Sequence, residues 1–253
     1  YRELPGSRIL ALAEDPWGAI WVGTNNGVAR IVGDQVRIWR HSTADSASLT
    51  ANQITSIDAT DSASVWVGTT RGLCSIDPIS GAVERHAFAP HDGDQAGEQA
   101  VWQAVRGEGE VLWVALSDGL CCYRIKERRW TMPSVEQRRY PGEPFKGVPG
   151  AMAWDHARRV LWAGTKNGLY RIPGTAAAER PDRVRLDPYA LGTHVSCLHL
   201  DASGTLWMSD PERDAVSILR AGGGEPQQIA LPKGNAGSIS RAILADAQGC
   251  IWL

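Results

Sequence analysis

Residues 15–31 read DPWGAIWVGTNNGVARI. An Asp-x-x-Gly turn leads into a short apolar run centred on Trp21, and a Thr-x-x-Gly turn leads into a second apolar run. A strand that ends in a hairpin turn has this form. The pattern returns five more times: DSASVWVGTTRGLCSID (61–77), GEGEVLWVALSDGLCCYRI (107–125), ARRVLWAGTKNGLYRI (157–172), ASGTLWMSDPERDAVSIL (202–219) and AQGCIWL (247–253). The anchors are Trp21, Trp66, Trp113, Trp162, Trp207 and Trp252, spaced by 45, 47, 49, 45 and 45 residues. A large aliphatic precedes every anchor, from Ile20 to Ile251. Two residues after the anchor the side chain is small: Gly23, Gly68, Ala115, Gly164, Ser209. Six residues after it comes glycine in four repeats: Gly27, Gly72, Gly119 and Gly168. Glycine supplies the positive φ such hairpin turns need.

Each repeat predicts four short strands, in the first at about 8–14, 19–24, 27–33 and 35–41. No sustained 3.6-residue periodicity runs through the chain, so helix should be nearly absent. Four strands per 45-odd residues is the size of a β-propeller blade. The fold class is therefore all-β: a propeller of four-stranded antiparallel blades. A two-sheet sandwich is the alternative, but it gives no reason for one Trp at a fixed place per repeat. In a propeller that Trp fills the wedge between stacked blades. The expected arrangement is one incomplete propeller region over 1–253. Residues 1–5 end a preceding blade; 8–41, 53–88, 100–131, 149–187 and 194–231 are whole blades; 239–253 starts another. Both ends fall within a blade, as expected of a fragment of a longer chain.

Composition agrees with this and removes other classes. Of 253 residues, 11 are Trp but only 2 Phe and 5 Tyr, and 27 are Gly. Lys and Arg number 26 against 28 Asp and Glu, a net charge of −2, with no basic block, which argues against nucleic acid as a partner. No apolar run approaches the roughly 18 residues that cross a bilayer. The 5 Cys form no C-x-x-C. Cys197 and His199 share a strand face with His194 opposite, and two ligands are too few for a structural zinc site. No catalytic motif is present, and no cofactor or metal is implied.

At the W-V-G-T-x-x-G columns the chain resembles the two-component-regulator propeller, whose blades read roughly D-x-x-G-x-[IL]-W-[VI]-G-T-x-x-G-[LV]-x-[RY]. Asp15–Arg30 matches along its length, and Val65–Leu73 and Leu161–Arg171 match well. The third repeat has Ala115-Leu116 where Gly-Thr is usual, and the fifth has Ser209-Asp210. The resemblance implies the extracytoplasmic, periplasmic sensor region of a bacterial signalling protein. Its relatives carry a membrane helix and a cytoplasmic histidine kinase or diguanylate cyclase. Those parts lie outside this sequence, so this segment is expected to be non-catalytic, with the rest of the parent as its partner. A homodimer through the parent fits the same reading.

The expected ligand site lies on the loops. Asn25 and Asn26, Arg71, Asp118, and Lys166 with Asn167 occupy the turns between second and third strands. Polar tips of this kind suit a small polar ligand such as an oligosaccharide, though such residues also simply make good turns. Trp102 and Trp154 sit on inner strands and could stack on a sugar, or be additional core. Trp39 and Trp130 are expected to pack as outer-strand residues. The long connections 41–52, 90–99 and 132–150 are further candidates, the third carrying Arg138-Arg139-Tyr140. Two other functions remain open: a propeller enzyme of the streptogramin-lyase kind, and a free-standing interaction scaffold.

Overall fold

The computed structural model describes residues 4–89, 97–117, 119–132, 150–174, 187–191, 194–210, 215–230, 243–245 and 250–252. The chain divides into two compact units, residues 1–106 with 110–132, and residues 107–109 with 133–253.

The first unit holds three four-stranded sheets, each an antiparallel meander in chain order. The first comprises β1 (Ile9–Glu14), β2 (Ile20–Thr24), β3 (Gly27–Val32) and β4 (Gln35–Trp39). The second comprises β5 (Ile54–Asp58), β6 (Val65–Thr69), β7 (Gly72–Ile76) and β8 (Val83–His86). The third comprises β9 (Val101–Arg106), β10 (Val111–Leu116), β11 (Gly119–Arg124) and β12 (Arg129–Thr131). The inner strands stack in series, β1 against β5 and β5 against β9.

The second unit repeats the design. Its sheets are β13 (Ala151–Asp155), β14 (Val160–Thr165), β15 (Gly168–Pro173) and β16 (Asp187–Leu191), then β17 (Cys197–Leu200), β18 (Leu206–Asp210), β19 (Ala215–Leu219) and β20 (Gln227–Ala230). A pair, β21 (Leu244–Ala245) and β22 (Ile251–Trp252), follows. Strand β16 starts at Asp187, where the sequence reading ended the fourth blade, so that sheet runs on to Leu191.

The anchor tryptophans stand where one sheet meets the next. Trp21 is fully buried among Leu49, Ile54, Val65 and Ile76 of the second sheet and its approach. Trp66 packs likewise with Val101, Leu112 and Tyr123 of the third, and Trp162 with Val195, Leu206 and Met208 of the fifth. A sheet buried on both faces by its neighbours is the condition for stacking blades. Trp39 stacks on Trp21 at 5.2 Å, and Trp130 contacts Tyr123 at 4.8 Å, so both are outer-strand packing.

The small residue after each anchor has a physical cause. The next inner strand, or the approach to it, seats an aliphatic side chain on that α-carbon. A Cβ on Gly23 would lie 2.6 Å from Ile54 Cγ2, on Gly68 2.8 Å from Val101 Cγ1, and on Gly164 2.5 Å from Val195 Cγ1. No side chain fits at such distances. The threonine of W-V-G-T closes the hairpin. Thr24 Oγ1 donates to Gly27 O (2.9 Å) and accepts from Asn26 N (3.0 Å), and Thr69 and Thr165 repeat both bonds. Gly27 itself has φ +119°, which L-residues rarely adopt.

The Asp that opens the turn also holds the anchor. Asp15 Oδ2 accepts from Trp21 Nε1 at 3.0 Å, and Asp201 does the same for Trp207 at 2.8 Å. Asp155, one place further back, reaches Trp162 at 3.4 Å. In the second sheet the equivalent place is Thr60, whose hydroxyl bonds Asp58, and Trp66 Nε1 is buried without a partner. Inner edge strands need partners for their N–H groups. Side chains of β5 supply them to β9: Ser56 Oγ accepts from Ala104 N (3.2 Å) and Asp58 Oδ2 from Arg106 N (2.6 Å).

Candidate functional site

Of the residues expected to bind a ligand, the first two are engaged locally. Asn25 Oδ1 accepts from Arg8 N (3.1 Å), and Asn26 Nδ2 donates to Pro5 O (2.9 Å). Lys166 and Asn167 have exposed side chains in the equivalent turn of the second unit. Asp118 lies outside the described residues, as do Arg138, Arg139 and Tyr140. Trp154 is buried at 8% exposure and Trp102 is 51% exposed. The difference has a backbone origin. Register slips at the start of β9, where Val101 pairs with Leu116 and Gln103 with Ala115, leaving Trp102 as the extra residue of a bulge. Bulges re-aim the side chain they insert. Leu10 and Thr55 occupy the same bulge in β1 and β5.

Arg71 is the expected site residue that borders a substantial cavity, of about 410 Å³. That volume falls within the roughly 300–1,000 Å³ typical of ligand pockets. The cavity lies in the second sheet, beneath the connection from β4 to β5, and its lining includes His41, Thr43, Thr50, Arg71, Arg85, His86 and Glu98. Arg71 meets Glu98 through two 2.7 Å bonds, from Nε and Nη2, and this hydrogen bonding and charge raise the guanidinium further above its ordinary value.

Arg85 on β8 organises the connection. Its Nε donates to Ser48 O (2.7 Å) and its Nη2 to Asp45 O (3.0 Å), Leu49 O (3.0 Å) and Ser48 Oγ (2.8 Å). His41 Nδ1 faces Leu49 O at 2.6 Å, so that nitrogen donates and Nε2 is left as an acceptor in the neutral ring. Thr50 Oγ1 meets Thr69 Oγ1 at 2.8 Å and so ties the connection to the W-V-G-T strand.

The cavity floor is rigid. His86 Nε2 meets Ser75 Oγ at 2.9 Å, and its Nδ1 meets Tyr123 Oη at 2.8 Å. Burial, helped by the Arg128 charge, pulls His86 down to about 4, so the ring is neutral at pH 7. Burial and Glu84 push Tyr123 up to about 12. The His86 ring packs 4.9 Å from Trp66. Beside it, burial raises the Cys74 thiol. These groups are held in structural bonds, and the cavity offers polar recognition above a packed aromatic layer.

Sequence reasoning reached Arg71 through its turn and marked the 41–52 connection by its length. It missed Arg85, and it reached Glu98 only as part of the 90–99 connection, without singling the residue out. Each meets the cavity only through contacts across tens of residues, and no local pattern announces them.

Four-stranded meanders that stack within each unit, with Trp21, Trp66 and Trp162 between successive sheets, define a β-propeller. The family described as "Two component regulator propeller" matches residues 3–26, within the first of these repeats. No curated protein matches the sequence. Among solved structures, the extracellular domain of the hybrid two component system BT3049 from B. thetaiotaomicron is similar, with TM-score 0.63 and 16% identity over 98% of this chain and 39% of that one. The corresponding domain of BT4673 gives TM-score 0.61 at 16% identity over 100% of this chain and 37% of that one. Virginiamycin B lyase from Staphylococcus aureus gives TM-score 0.71 at 13% identity over 99% of this chain and 78% of that one. At these identities each likeness establishes the fold. The chain spans less than two fifths of the length of the BT4673 domain.

Proposed function

We propose that this chain is the ligand-sensing input region of a bacterial signal-transduction protein. It acts outside the cytoplasm and passes its signal to a kinase or diguanylate cyclase elsewhere in the parent. The observation that carries the reading is the regulator-propeller match on the repeat unit, which recurs sheet after sheet. The likeness to extracellular domains of two component systems supports the location. Binding rather than catalysis suits the chemistry around Arg71, because His86 and Arg85 are both engaged in structural bonds. The ligand is a small polar molecule of the oligosaccharide kind. Of the turn residues, Arg71, which borders the cavity of the second sheet, is its candidate contact. Ligand shifts the parent only through different affinity for two states.

A glycan-array screen of the intact chain tests the saccharide reading, and silence across the array removes it. In cells, the parent's output must then change with the saccharide selected. An output indifferent to that saccharide overturns the sensing role.

A further inference from the structure

We propose that the cavity beneath the 41–50 connection binds a small hydroxylated carboxylate, a sugar acid, with Arg71 and Arg85 as its anion contacts. The inference rests on the sensing reading and names the chemistry of one site within it. Three lining side chains are charged: Arg71, Arg85 and Glu98. Glu98 compensates Arg71. Arg85 donates to backbone carbonyls and one hydroxyl, and among the described residues it meets no carboxylate. Among the described residues the lining therefore carries one positive charge in excess, which an anion satisfies.

Both guanidiniums are also held in place before a ligand arrives. Arg71 is clamped in its plane by the two bonds to Glu98, and Arg85 by four bonds at 3.0 Å or less. In each the Nη1 group makes no hydrogen bond within the described residues. Fixed guanidinium donors recognise carboxylates well, and little rotamer entropy is left to lose. Carboxylate alone would leave the remaining lining unused. His41 Nε2 accepts, and the Thr43 and Thr50 hydroxyls accept as well as donate, which suits ligand hydroxyls.

Glu98 makes the proposal sharp, because it competes with the ligand for Arg71. Calorimetry on the intact chain at low salt compares sodium glucuronate with its neutral isostere glucuronamide and with glucose. Glucuronate should bind at least tenfold tighter than either. Arg71→Gln, an exposed change, should weaken glucuronate about tenfold. Glu98→Gln should tighten it several-fold, an outcome that a purely structural pair does not give. Arg85→Lys should retain the preference for the anion. Equal binding of glucuronate and glucuronamide overturns the proposal, and so does weaker binding in Glu98→Gln. Neutral saccharide binding that is indifferent to Arg71→Gln overturns this site but leaves the sensing reading intact. Silence toward every saccharide overturns this site together with the saccharide reading.

Discussion

Asp15→Ala tests the link between turn, anchor and sheet junction. Asp15 is 3% exposed. Its Oδ1 accepts from Ala19 N at 2.9 Å and Trp17 N at 3.1 Å, and its Oδ2 from Trp21 Nε1 at 3.0 Å and Arg30 Nη2 at 3.1 Å. Alanine would leave the Trp21 and Ala19 N–H groups unpaired in a dry place. Each such group costs roughly 1–3 kcal/mol. Two effects offset part of the total: the buried carboxylate no longer has to be desolvated, and Arg30 keeps its bond to Pro78 O (3.1 Å). The net expectation is about 3 kcal/mol of destabilisation. Asp15→Asn keeps an acceptor for the turn amides and should lose about half as much.

The pH dependence has a definite sign. Burial opposes ionisation of Asp15, but bonds from Trp21, Ala19, Arg30 and Trp17 outweigh it and hold the carboxyl below its ordinary value. Its contribution is therefore complete above about pH 4 and is lost as pH falls through the lower folded value. Asp15→Ala should be correspondingly less acid-sensitive. Urea denaturation followed by tryptophan fluorescence, with hydrogen exchange on β2, reads the effect. A loss below about 0.5 kcal/mol refutes the reasoning, since surface changes fall in that range.

Other junctions give further expectations. Trp113→Ala should cost about 3–5 kcal/mol in thermal unfolding, as other large-to-small core changes do. Gly68→Val should destabilise by more than about 2 kcal/mol, because its side chain would overlap Val101 and Ser56; retention of the parental melting temperature would sink the close-approach argument. Trp66→Phe should cost less than Trp21→Phe, because only the Trp21 indole N–H has a partner to lose. His86, held near 4, takes up its proton in the unfolded state first. Stability should fall by up to about 3 kcal/mol as pH drops from 6.5 to 4, and His86→Gln should flatten that slope.

The repeat made most of the fold legible. An aliphatic, a tryptophan, a small residue, a threonine and a glycine recur at fixed spacing, and each has one role copied from sheet to sheet. The role of the small residue could not be read from one chain segment, because its partner is an aliphatic carried by the next repeat. The same holds for Asp15 and Trp21: the spacing was visible, but the bond between them depends on how the turn folds back. Trp102 and Trp154 looked equivalent as inner-strand aromatics. The bulge in β9 exposes one, while regular pairing in β13 accompanies burial of the other. The cavity was least legible. Arg85 lies on an outer strand, and its meaning comes from a connection some 40 residues earlier that folds over it.

Hydrogen exchange by mass spectrometry, on the intact chain with and without the saccharide that the array selects, tests the functional account most directly. The account predicts slower exchange in 41–50 and 70–72 on binding, with β2, β6 and β14 unchanged. Protection confined to 150–219, or none anywhere at saturating ligand, would contradict it.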